Sequence, residues 1–136
     1  MKRNVVVLFF LFLSIFTNAQ VNGDFNLKFL TKLDLWGGDG KWHEMYRNDD
    51  GFYWVNHGDP FKIILSGNFI GITVKVSSSN GDMLFDKSYS SDLPSGHLVI
   101  SDKRMIGVSE TLYYLVIMKN GKVLSNAVIE SVPGGE

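Results

Sequence analysis

Side chains able to do covalent or metal chemistry are sparse in this chain. It has no cysteine, which removes thiol nucleophiles and thiolate metal sites. No serine stands in the Gly-x-Ser-x-Gly turn that presents a nucleophile at the end of a strand. Ser95-Gly96-His97 brings a serine close to a histidine. Neighbouring strand positions point to opposite faces, and triad partners usually come from distant segments, so this stretch reads as a turn. His43, His57 and His97 are far apart, and none forms a His-x-His pair on one strand face. Metal ligation is therefore not expected. Asp49-Asp50-Gly51 offers loop oxygens to calcium but lacks the spaced acidic ligands of an EF-hand, and it reads as a hairpin turn. Gly37-Gly38-Asp39-Gly40-Lys41 lacks phosphate-loop spacing and is followed at once by Trp42. Catalytic, metal and cofactor residues are all expected to be absent, because no spacing brings two titratable groups into one cleft.

The aromatic residues are more informative. Trp36, Trp42, Tyr46, Phe52, Tyr53 and Trp54 fall within one third of the chain and include all three tryptophans. Tryptophan and tyrosine offer flat apolar faces with a polar edge, which suits sugar rings and protein hot spots. On a short strand Phe52 and Trp54 share one face while Tyr53 takes the other, so one side of this segment is expected to be exposed. Trp36, Trp42, Tyr53, Trp54 and, from a later strand, Tyr113 are the expected ligand contacts. An extended loop, Arg104-Met105-Ile106-Gly107-Val108-Ser109, is the candidate if the contact is a protease cleft.

The elements that must hold these residues are strands. Short apolar or alternating runs are separated by Gly, Asn and Asp, and no stretch keeps an apolar spacing of three and four. The pattern predicts strands over 25–36, 41–46, 52–55, 61–65, 70–77, 83–89, 97–100, 112–118 and 123–130. Asn80-Gly81 and Asn120-Gly121 are both expected to form two-residue type I′ turns. In that register Val76 faces Phe85, Ile72 faces Tyr89, Lys75 faces Asp86 and Lys87 faces Val74. In the second hairpin Tyr114, Val116 and Met118 oppose Ala127, Ser125 and Val123, while Tyr113, Leu115 and Ile117 oppose Val128, Asn126 and Leu124. Residues 112–118 are apolar on both faces, so the second face needs a cover, for which the long first strand is the candidate.

The first residues read as an address. Lys2 and Arg3, an apolar run from Val5 to Phe16 broken by Ser14, and Thr17-Asn18-Ala19 have the layout of a secretory signal peptide. Cleavage is expected between Ala19 and Gln20, placing the domain in the periplasm or outside the cell with no membrane span in the mature chain. The expected division is a signal over 1–19, one domain over 20–131 and a frayed tail over 132–136. Losing Lys2 and Arg3 leaves 11 basic residues against 14 acidic, a net charge of −3. A weakly acidic domain without runs of like charge has no bulk attraction for nucleic acid. The absence of cysteine in an exported domain favours a bacterial origin.

Ile72-Thr73-Val74-Lys75-Val76, Asn80-Gly81, Tyr114-Leu115-Val116-Ile117 and Asn120-Gly121-Lys122 through Ile129 together resemble the immunoglobulin-like β-sandwiches of small secreted Bacteroidetes proteins. Signal peptides ending in Asn-Ala-Gln are frequent in that phylum. The C-terminal half also resembles the sorting domains of type IX secretion. It departs from them at Leu112, where they carry Gly before the Tyr, and in its acidic end. The resemblance implies a single antiparallel β-sandwich. The expectation is an exported, non-enzymatic interaction module for a protein or glycan, the alternatives being a carbohydrate-binding module and an inhibitor of an envelope protease.

Overall fold

The computed structural model describes residues 25–33 and 38–133. The expected signal peptide, its cleavage site, Trp36 and the tail beyond Pro133 lie outside these residues. Nine strands are present among them: β1 (Phe25–Lys32), β2 (Trp42–Glu44), β3 (Tyr53–Asn56), β4 (Phe61–Gly67), β5 (Ile72–Ser78), β6 (Met83–Tyr89), β7 (His97–Ile100), β8 (Leu112–Lys119) and β9 (Lys122–Val132). Each falls on a run the sequence predicts. The first ends at Lys32 within the expected 25–36, whose residues 34–36 lie outside the described ones; Leu33 still pairs across, its amide donating to the Lys41 carbonyl at 3.2 Å and its carbonyl accepting the Gly40 amide at 2.7 Å.

The strands form two sheets, ordered β2-β1-β4-β7 and β3-β9-β8-β5-β6. Pairing is antiparallel throughout except at one edge, where β3 runs parallel to β9. The chain is thus an all-β sandwich. Alternation explains it: β4 and β5 bury every second residue, Phe61, Ile63 and Leu65 against Ile72, Val74 and Val76. Burying each such side chain contributes about 1.5–3 kcal/mol. Aromatic pairs tie the layers together. Phe29 of β1 stacks on Tyr53 of β3 with centroids 4.0 Å apart, and Phe61 of β4 meets Tyr113 of β8 edge-on at 4.8 Å.

The two Asn-Gly hairpins differ. Asn120 (φ 52°) and Gly121 (φ 77°) form the expected two-residue loop, with Lys119 paired to Lys122. Asn80 does not have positive φ. The Ser78 amide instead donates to the Asp82 carbonyl at 2.9 Å, leaving three residues in the loop with Gly81 at φ 92°. A bulge at Leu84 then restores the frame, so Ile72 faces Tyr89, Val74 faces Lys87, Lys75 faces Asp86 and Val76 faces Phe85, as the sequence predicts. In the second hairpin the expected pairs fail beyond Met118–Val123. Leu124 is bulged, so Ile117 pairs Ser125, Leu115 pairs Ala127, Tyr114 pairs Val128 and Tyr113 pairs Ile129. One extra residue in one strand moves every later partner by one.

Tyr113, Leu115 and Ile117 face the core. On the other face Tyr114, Val116 and Met118 are half-buried, and their neighbours Asn126 and Val128 are buried. The expected cover by the first strand is not found, because β1 lies in the opposite sheet. No helix among the described residues is long and apolar enough to cross a membrane.

Candidate interaction surface

The segment 42–54 crosses from the edge of one sheet to the edge of the other. It starts in β2 beside β1, buries Met45 beneath Phe29, whose carbonyl accepts the Met45 amide at 2.8 Å, and folds back into β3. Asn48 makes the reversal: its side-chain oxygen accepts the Phe52 amide at 2.9 Å and its carbonyl accepts the Gly51 amide at 3.0 Å. Asp49 and Asp50 sit in that turn, where the sequence places them. No group of three or more metal-ligating side chains occurs among the described residues.

This path puts aromatics on both flanks. Trp42 (39 % exposed) lies on the outer face of the four-stranded sheet, with the Lys62 ammonium 4.1 Å from its ring centroid. Trp54 (37 %) lies on the outer face of the other sheet opposite Glu130, and Tyr46 (62 %) leans on it with centroids 5.0 Å apart. Two expected contacts are placed differently. Tyr53 points inward, stacked on Phe29, with the Arg47 guanidinium 5.5 Å from its ring. Tyr113 is 2 % exposed and belongs to the core, because β8 alternates and its position faces Phe61. Its hydroxyl donates to the Ile106 carbonyl at 2.8 Å. Burial pushes the Tyr113 phenol above its usual value, and a hydrogen bond with the Val108 backbone partly offsets this. Tyr46 belongs to the aromatic cluster but not to the expected contacts, since nothing local in the sequence shows that it stands clear of the sandwich.

The candidate inhibitor loop is anchored at alternate residues, while Arg104, Ile106, Val108 and Ser109 are exposed. Met105 is buried, Gly107 packs against the Asn56 carbonyl, and the Phe61 amide donates to the Met105 carbonyl at 3.0 Å. Arg104 is held by Asp102 at 3.0 Å, which keeps the Asp102 carboxyl below its usual range. Under this loop lies a polar corner. Asp59 is fully buried and its carboxylate accepts from the Asn56 side-chain nitrogen at 3.3 Å, and the Gly107 amide donates to the Asp59 carbonyl at 3.0 Å. Ser131, His57 and Asp59 are residue types of a hydrolytic triad. Among the described residues the Ser131 hydroxyl has no hydrogen-bond partner, His57 included. The corner acts as a staple between loop and sheet. The other histidines make local contacts, His43 to Asp39 at 2.9 Å and His97 to the Ser95 carbonyl at 3.2 Å.

Pairing also gathers charges that are scattered in sequence. On the outer face of the four-stranded sheet Lys32 stands beside Trp42, Leu30 between Glu44 and Lys62, and Ile64 between Lys28 and Val99. No family model matches the chain, and no curated protein matches it.

Proposed function

We propose that this chain is an exported, immunoglobulin-like binding module without enzymatic chemistry, and that its contacts are made by the aromatic segment 42–54. Sandwich cores normally take up their tryptophans, yet both described ones are exposed, together with Tyr46. That observation carries the reading, and it favours a carbohydrate as ligand, because exposed tryptophan and tyrosine rings suit sugar faces. The immunoglobulin-like assignment draws support from two features. The order β1-β4-β7 faces β9-β8-β5-β6, and Tyr113, at the start of β8, bonds back to the backbone seven residues upstream in the manner of a tyrosine corner. Membership among small secreted Bacteroidetes sandwiches and processing at Ala19–Gln20 belong to the same proposal.

The test is tryptophan fluorescence of the mature chain with acrylamide quenching, repeated with a glycan panel and with Trp42→Phe and Trp54→Phe variants. Quenching that one glycan suppresses, and that a variant abolishes, supports the reading. Glycans and envelope proteins that leave the quenching of both residues unchanged would refute it.

A further inference from the structure

The outer face of the four-stranded sheet has a charge character opposite to that of the chain. Among the described residues three lysines lie on it, Lys28, Lys32 and Lys62, with the Glu44 carboxylate at its rim and His97 at its far end. The whole chain carries a net charge of −1. Lys28 and Lys32 are four residues apart on β1, hence about 13 Å at roughly 3.3 Å per residue. Lys62 sits between them on β4, diagonal to both, so the three cations zigzag around Leu30. Trp42 closes one end of the zigzag, and the Lys62 ammonium over its ring fixes cation and aromatic side by side.

The apolar groups of this face do not form one patch. The exposed ones, Trp42 on β2 and Val99 on β7, occupy opposite edge strands, while Leu30 and Ile64 between them are half-buried. An acyl layer rewards a continuous apolar surface that enters it. This face instead offers cations spaced along paired strands, next to one aromatic ring.

We propose that this face binds an acidic polysaccharide, with Lys28 and Lys62 pairing with its carboxylate or sulfate groups and Trp42 covering a sugar ring. The proposal rests on the binding-module reading and narrows it to one face and one ligand class. Lysine suits this task because its ammonium pairs as a point charge on a flexible stem, tolerating variable sugar spacing. Tyr46 and Trp54, on the other flank, are not part of the site.

The experiment is calorimetric titration of the mature chain with polygalacturonate, heparin and neutral dextran, in low and high salt. Polygalacturonate and heparin separate a carboxylate from a sulfate ligand. Lys28→Gln and Lys62→Gln are each expected to weaken binding about fivefold, the loss typical of one lysine near an anionic surface. Raising the salt from about 50 to about 500 mM should weaken it at least about tenfold, as expected for exposed charges. Lys75→Gln, on the outer face of the other sheet, should leave it unchanged. Binding of dextran equal to that of the polyanions, or polyanion binding indifferent to Lys28 and Lys62, overturns this proposal and leaves the module reading standing. Binding to anionic vesicles but to neither polyanion overturns it in favour of a lipid surface.

Discussion

Replacing Tyr113 by phenylalanine removes one oxygen atom and leaves the ring packed against Phe61. That oxygen donates to the Ile106 carbonyl at 2.8 Å, across the connection between β7 and β8. A buried hydrogen bond contributes a net ~1 kcal/mol, and an abandoned buried acceptor adds a penalty of ~1–3 kcal/mol. The Ile106 side chain is exposed, so water can reach this part of the loop and the penalty falls toward its lower end. A loss of ~1.5 kcal/mol is expected, and with a urea dependence of ~1.5 kcal/mol per molar the unfolding midpoint drops by ~1 M with unchanged slope. Hydrogen exchange should locate the effect. The Gly107 amide donates to the Asp59 carbonyl and the Gly58 amide to the Gly107 carbonyl, and both should exchange faster in the variant. Tyr113→Leu, which also removes the ring contact, should cost clearly more. A Tyr113→Phe midpoint within ~0.2 M of the parent would refute the idea that this hydroxyl anchors the loop.

Other consequences can be measured on the same protein. Gly107→Ala places a methyl group into the Asn56 backbone carbonyl, so a loss of ~3 kcal/mol or failure to fold is expected by urea titration, and a neutral result would show that the loop can lift away. Asn126 is 3 % exposed and neither its side-chain nitrogen nor its oxygen has a partner among the described residues, so Asn126→Val should stabilise by ~1 kcal/mol; a destabilised variant would mean the amide is satisfied in solution. Burial raises the phenols of Tyr89, Tyr113 and Tyr114 above their ordinary value. The native chain therefore holds these protons more tightly than the unfolded one. The stability they contribute is full below pH ~10 and is lost as pH rises through the folded values. A urea midpoint that stayed level up to pH ~11 would contradict this.

Which residues form strands was legible because burial alternates with period two, as in Ile72, Val74 and Val76. Turn chemistry was legible at Asn120-Gly121 and only half legible at Asn80-Gly81, where the same dipeptide serves a longer loop. Bulges were not legible. Nothing local marks Leu84 or Leu124 as extra, and one such residue moved the expected partners of Tyr113 and Tyr114. The surface was legible in part. Trp42 and Trp54 stand out by type and clustering, but placing Tyr113 inside and Tyr46 outside depends on which face of each strand meets the opposite sheet. Lys28, Lys32 and Lys62 form no run in sequence. They meet only because β1 and β4 pair antiparallel.

The two bulged leucines share a position, each three residues after the glycine of its hairpin turn. Each is an insertion that the sheet accommodates as a local bend. A chain lacking Leu124 would keep Met118 opposite Val123 and Ile117 opposite Ser125 as consecutive rungs, so no later residue would change face. A deletion further along β9 would turn every inward side chain on one side of it outward. The two hairpins are thus the points at which β6 and β9 absorb one residue of extra length without changing the face of those that follow. Deleting Leu124 should cost little more than Leu124→Ala, and a deletion variant that fails to fold while Leu124→Ala folds would show that the bend itself is required.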